Sequence, residues 1–182
     1  MKIDDLLYFA PGVRFDQVDL NSPKLPEWFR RRVEGFYVRP AKECAHNGHA
    51  FAAGVLLVSC IDALSRLRFG PGVGERFVRF VREELKSFAY GNHAERFYQD
   101  FRNGLVHEAR IKEGGQFSLE VGTTVQESDG LILVNPDMLA GELESALESY
   151  INLLQTDPKE VRKLVESLKR DLAKDFQFAE RI

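Results

Sequence analysis

Apolar residues recur every three or four positions over most of the chain, which is the spacing of helices that turn one side to a core. The first such segment runs from Pro26 to Val38. We expect Pro40 to end it, because a proline inside a helix lacks the N–H donor and clashes with the preceding turn. A second helix is predicted from about Glu43 to Arg68. Its middle, residues 50–61, is apolar on every side, which is typical of a central helix that other elements cover all round.

The same apolar period predicts further helices along the chain. One spans Glu75 to Phe88 and another spans His93 to Glu108. Two more follow the pairs Asn135-Pro136 and Asp157-Pro158, since a polar capping residue and a proline at the first helical position are typical of a helix start. Helices therefore account for most of the predicted structure.

A short stretch between these helices has the alternating pattern of β-strands. Strand-like runs on either side of Ser128-Asp129-Gly130 predict a hairpin within a β insertion at residues 116–134. Residues 1–23 show no clear period and are interpreted as an irregular N-terminal arm. The predicted fold class is mainly α, a single domain over residues 1–182 with about five to six bundled helices and a small β-hairpin insertion.

Composition excludes several classes of protein. The 182 residues are 44% hydrophobic and 29% charged, as in globular proteins, and the net charge of −3 excludes a broadly basic nucleic-acid-coating protein, although not a local basic patch. Cys44 and Cys60 have neither the number nor the spacing of a disulfide framework or zinc site. The N-terminus lacks the pattern of a signal peptide, and the longest apolar run, residues 50–60, is too short to cross a membrane. We therefore expect a cytoplasmic protein without membrane partners.

The predicted helix at residues 93–108 carries the residues best suited to chemistry. His107 follows Asn103 by one helical turn, and Arg102 precedes Asn103. A histidine can take and return protons near neutral pH, and a guanidinium can hold a phosphate, which are the needs of a ribonuclease without metal. Gly104 costs ~1 kcal/mol relative to Ala inside a helix. Either close packing or the approach of a ligand to the backbone would explain its presence.

The segment Arg102-Asn103-Gly104-Leu105-Val106-His107 resembles the signature of the HEPN superfamily, in which Arg is followed by Asn, Asp or His, three further residues and His. The resemblance implies a metal-independent endoribonuclease without a cofactor, often a toxin or defence effector, that acts on RNA as a homodimer. Arg102 would then hold the scissile phosphate, Asn103 would orient the phosphate or the histidine, and His107 would be the acid–base residue. Asp62, on the long preceding helix, matches the supporting acid of many members. A cognate antitoxin or another partner protein would be in keeping with that family.

Other interpretations of these residues remain open at the level of sequence. The Arg–His combination also suits a surface pair, and Asp62 could form a salt bridge with Arg66 one turn later. His46 and His49 have the spacing of half a metal site, but no third ligand is evident nearby in the sequence. The alternative function is a non-catalytic helical module that binds RNA, a nucleotide or a protein partner, and a third alternative is a purely structural domain.

Overall fold

The computed structural model describes residues 2–3 and 6–179, with side chains from residue 6 onward. The described chain is mainly α with small β-sheets, so the predicted fold class is confirmed. The helices are α1 (Leu25–Val33), α2 (Arg39–His46), α3 (Ala50–Phe69), α4 (Gly74–Glu84), α5 (His93–Arg96), α6 (Asn103–Glu108), α7 (Pro136–Thr156), α8 (Pro158–Asp171) and α9 (Ala173–Ala179). The strands are β1 (Lys2–Ile3), β2 (Leu6–Ala10), β3 (Val13–Arg14), β4 (Gly115–Phe117), β5 (Val125–Ser128) and β6 (Leu131–Val134).

The chain divides into two compact units. One consists of Met1–Phe36 together with Leu147–Ile182, and the other is Tyr37–Ala146. The expectation of one domain over the whole chain stays a prediction. All the residues proposed from the sequence as a site belong to the second unit.

The first unit shows that the N-terminal arm is more ordered than expected. Strands β1, β2 and β3 form an antiparallel sheet, and Gly12, with a φ of +72°, lies in the turn before β3. The prediction of an irregular arm is therefore wrong over the part of residues 1–23 that the structure describes; residues 1, 4 and 5 lie outside it. Strands of two to five residues are too short to display an alternating pattern clearly.

The first helix does not end at Pro40 as predicted. A π-helical turn at Glu34–Val38 follows α1 and leads directly into α2. Pro40 is the second residue of α2, where a backbone N–H needs no partner within the helix. The break falls instead at Asn47–His49, where Gly48 has a φ of +79°. The predicted start of the second helix at Glu43 is therefore also wrong.

Helix α3 is the long helix of the second unit, but it is not covered on every side. It packs against α2 and α4, while Phe51 is 50% exposed and Ala52, Ser59 and Arg66 also face solvent. By length and apolar composition α3 could span a membrane, yet 44% of its most apolar window is buried inside the protein. One helix of this kind is weak evidence for a membrane span, because the core helices of soluble proteins pass the same test.

Aromatic packing joins α3 to strand β4 and to the helical segment at residues 93–108, which is called the motif helix below. The ring of Phe117 in β4 lies directly over Gly54 of α3, where a Cβ would be 2.2 Å from the ring carbons. On its other side Phe117 contacts Phe101, whose ring centroid is 4.9 Å away. This stack of helix, strand and helix holds the candidate site in place.

The β insertion contains the predicted hairpin and one additional strand. β5 and β6 are antiparallel and are joined by Asp129-Gly130, both with positive φ, as two-residue hairpin turns require. β4 pairs with β6 in parallel.

The helices that follow the sheet begin at capping residues. The Asn135 side chain accepts hydrogen bonds from the first turn of α7, and the Asp157 side chain caps α8. Both predicted helix starts are confirmed.

Candidate functional site

The motif helix is present as predicted, with a π-helical turn in its middle. Helix α5 passes into a π-helical turn at Phe97–Arg102, and α6 follows from Asn103. Phe97 and Phe101 are fully buried, in agreement with the predicted apolar stripe. Turns of this kind are rare and often occur at functional sites, since they change the direction in which side chains leave the helix.

Arg102, the last residue of the π-helical turn, lies in the protein interior. It is 8% exposed, and its Nη2 donates to Oδ2 of Asp62 at 3.3 Å. Its Nη1 donates to Oδ1 of Asn103, also at 3.3 Å, and its guanidinium carbon is 5.9 Å from the centroid of the Tyr98 ring. The buried Nε has no hydrogen-bond partner among the described residues. The structure thus brings together Arg102, Asn103 and Asp62.

Asp62 has a second arginine partner, which the sequence interpretation missed. Nη2 of Arg76 donates to Oδ1 of Asp62 at 3.2 Å, and Nη1 of Arg76 donates to the carbonyl oxygen of Pro71 at 3.0 Å. Arg76 is only 6% exposed, and its Nε is buried without a hydrogen-bond partner in the described part of the chain. The helical spacing of Arg76, Arg79 and Arg82 in the sequence predicts a solvated helix face, and the burial of Arg76 corrects that expectation.

A sequence signal for Arg76 exists, but it is weak. Arg76, Arg79 and Arg82 recur at helical spacing, and the latter two are indeed exposed and paired with Glu83 and Glu95. Only the first arginine of the series lies at the start of α4, close in sequence to the glycine-rich loop before it. Nothing in the spacing distinguishes it from its two neighbours.

His107 lies apart from this cluster. It is exposed, and among the described residues no hydrogen bond connects it to Asn103, Arg102 or any other group. Asn103 instead donates from Nδ2 to Oε1 of Gln99 at 3.4 Å. The imidazole is therefore accessible to a ligand, whereas the guanidinium of Arg102 is fixed inside the protein.

Gly104 is explained by close packing of the backbone. A Cβ at this position would lie 2.4 Å from the carbonyl oxygen of Arg110, because the chain folds back over α6 after Ala109, a residue with a φ of 55°. The Gly104 carbonyl oxygen accepts the N–H of Arg110 at 3.3 Å. Of the two explanations open from the sequence, the structure therefore supports packing.

Charged side chains also follow His107 along the chain. The Glu108 carboxylate lies 3.2 Å from the Lys112 ammonium and 2.7 Å from the Arg110 guanidinium. The hydrogen bond from Lys112, with further help from Arg110, lowers the pKa of Glu108. Glu108 thus offsets one of the two positive charges that follow His107.

The other candidate residues do not form a second site. Within residues 6–179, no group of three or more His, Cys, Asp and Glu side chains is placed to hold a metal ion. His46 is the last residue of α2, and His49 immediately precedes α3. Both cysteines are free thiols, and burial raises the pKa of Cys60.

Comparisons with models of protein families, with curated proteins and with solved structures found no match to this chain.

Proposed function

We propose that this protein is a metal-independent endoribonuclease of the HEPN type, in which Arg102 binds the scissile phosphate and His107 is the acid–base residue. One observation carries the proposal. The motif helix combines a guanidinium held in the interior by Asp62 with an exposed imidazole on the next turn. A fixed cation and a free base are the two groups that this reaction requires.

The reaction uses the 2′-hydroxyl of the RNA as its nucleophile. His107 takes the proton of that hydroxyl, and the oxygen attacks the adjacent phosphorus. The bond from phosphorus to the 5′-oxygen of the next nucleotide breaks, and that oxygen takes up a proton from water. The products are a 2′,3′-cyclic phosphate and a 5′-hydroxyl. Arg102 stabilises the negative charge that accumulates on the phosphate oxygens in the transition state.

Asn103 and Asp62 are assigned supporting roles. The Asn103 amide lies between Arg102 and Gln99, where it orients the guanidinium or the bound phosphate. Asp62 holds Arg102 in position before RNA binds.

The proposed working form is a cytoplasmic homodimer with its two motifs facing each other. Val106, immediately before His107, is 57% exposed, and a symmetric interface beside the motif would cover it. A cognate antitoxin or other partner protein would regulate the activity. Light scattering gives the mass in solution, and a monomeric mass would contradict the dimer.

A second candidate function is a non-catalytic module that binds RNA, a nucleotide or a protein partner. The observation in its favour is that His107 has no hydrogen-bond partner among the described residues, whereas catalytic histidines are commonly oriented by such a bond. In that case Arg102 would bind phosphate and His107 would contribute little.

A cleavage assay separates these two functions. Mixed cellular RNA is incubated with the protein in excess EDTA, and the wild type is compared with His107→Ala. We expect the wild type to cut RNA and the variant to lose activity by at least ~100-fold, since general acid–base catalysis contributes about that much.

The matched control is His46→Ala, which removes another exposed histidine and should leave cleavage unchanged. Equal cutting by the wild type and His107→Ala would contradict the assignment of His107. Intact RNA with both proteins would favour the binding module.

A further inference from the structure

Arg76 lies on a different helix from the motif, yet it shares a carboxylate with Arg102. The two arginines donate to different oxygens of Asp62, Arg76 to Oδ1 and Arg102 to Oδ2. Helices α3 and α4 and the motif helix therefore meet at one group of three charged side chains. Two guanidinium groups and one carboxylate give this group a net charge of +1.

The surplus charge is buried. Arg76 and Arg102 are 6% and 8% exposed, and each has a buried Nε without a partner among the described residues. A buried cation is costly unless an anion and hydrogen bonds compensate it. One carboxylate that is shared between two guanidinium groups leaves part of that cost uncompensated.

The contacts to Asp62 are also long. They measure 3.2 and 3.3 Å, whereas charge-assisted hydrogen bonds between nitrogen and oxygen are typically about 2.7–2.9 Å. The Asp62 side chain is 27% exposed, so a ligand can reach its edge from solvent. These features suit a ligand-free state in which the Asp62 carboxylate occupies the place of an anion that the two arginines would bind more tightly.

We propose that Arg76 and Arg102 together bind one phosphate group, and that Asp62 competes with it for the two arginines. A phosphate presents two oxygens at nearly the spacing of the oxygens of a carboxylate. A pair of arginines that brackets a carboxylate can therefore bracket a phosphate. Arg76 thereby becomes a second phosphate-binding residue that lies outside the sequence motif.

The ligand is the phosphodiester of RNA, and to that extent the inference rests on the proposed function. Binding of phosphate, however, can be measured without any cleavage. A protein that binds phosphate through both arginines but cuts no RNA would support this inference while contradicting the enzyme. A protein that cuts RNA but binds phosphate without Arg76 would contradict this inference alone.

The first experiment measures the melting temperature of the full chain against inorganic phosphate, with sodium chloride at matched ionic strength as reference. A ligand that binds the folded state stabilises it by RT ln(1 + [L]/Kd), so the rise in melting temperature over a range of phosphate concentrations gives the affinity. We expect phosphate to stabilise the wild type, and its affinity to fall about tenfold or more in Arg76→Gln and in Arg102→Gln, because each loses a charged hydrogen-bond donor.

Three further variants complete the test. Arg79→Gln, on the exposed side of the same helix, should respond to phosphate as the wild type does. Asp62→Asn removes the competitor and should bind phosphate more tightly than the wild type. If Arg76→Gln does not fold, Arg76→Lys keeps the charge but loses the forked geometry, and its affinity should also fall.

Three outcomes would overturn the inference. They are a wild type that does not respond to phosphate, wild-type affinity in both Arg76→Gln and Arg76→Lys, and weaker binding in Asp62→Asn.

Anisotropy of a labelled single-stranded oligodeoxynucleotide, which lacks the 2′-hydroxyl and is not cut, then tests the source of the phosphate. Binding that is lost in Arg76→Gln supports a phosphodiester ligand, and phosphate binding without oligonucleotide binding overturns that assignment.

Discussion

The burial of Arg102 determines what its side chain can do. A guanidinium in the interior loses several kcal/mol of hydration, and an ion pair restores this only when its geometry is good. The single contact to Asp62, at 3.3 Å, is long for such a pair. Arg102 is therefore better suited to holding a ligand than to stabilising the fold.

Gly104 contributes to stability through its lack of a side chain. We expect Gly104→Ala to lower the free energy of unfolding by about 1–3 kcal/mol, because the new Cβ would overlap the carbonyl oxygen of Arg110, 2.4 Å away. Urea denaturation measures the change. The matched control is Gly141→Ala in α7, where no atom of the described chain lies within 4 Å of a Cβ. That variant should gain up to about 1 kcal/mol from helix propensity alone.

Equal effects of the two substitutions would contradict this account of Gly104. A gain in stability at both positions would mean that the turn after α6 can move away at little cost. Destabilisation at both would mean that helical glycines in this chain have another role.

At the scale of elements, sequence periodicity predicted most helices correctly but missed their interruptions. The apolar period is the same on both sides of the π-helical turn at Glu34–Val38, so the sequence shows no break there. From the sequence alone Pro40 indicates a helix end. It is instead the second residue of α2, a place that only the preceding π-helical turn makes possible. The break at Gly48, in contrast, has a glycine with positive φ and could have been recognised.

The candidate site was predictable along one helix but not across helices. Arg102, Asn103 and His107 are close in sequence, and so their spacing is visible without a fold. Arg76 and Asp62 meet Arg102 only through the packing of α3, α4 and the motif helix. Contacts between distant segments leave no periodic trace in a single sequence.

Strand β4 is held to α3 by the fit of Phe117 over Gly54. We expect Gly54→Ala to cost about 1–3 kcal/mol in the wild type, since the new Cβ would lie 2.2 Å from the ring. In a Phe117→Ala background the clash is removed, and the same substitution should be neutral or slightly stabilising. A thermodynamic cycle of the four proteins by urea denaturation measures the coupling. The same cost in both backgrounds would contradict the proposed fit.

At the scale of the whole molecule, net charge limits how RNA would bind under the proposed function. The chain has a net charge of −3, so the molecule as a whole repels a polyanion, while the group formed by Arg76, Asp62 and Arg102 is positive. Binding should therefore depend on a few phosphates at one site rather than on a broad basic surface. This favours recognition of a short single-stranded segment.

The measurement that tests the central claim most directly uses a short oligoribonucleotide and a copy with a 2′-O-methyl group at each nucleotide. Both are incubated with the protein in excess EDTA, and the fragment ends are identified by mass spectrometry. We expect only the unmodified RNA to be cut, with 2′,3′-cyclic phosphate and 5′-hydroxyl ends, because the proposed mechanism uses the 2′-hydroxyl as its nucleophile. Cleavage of the methylated copy, or fragments with 5′-phosphate ends, would contradict the proposed mechanism.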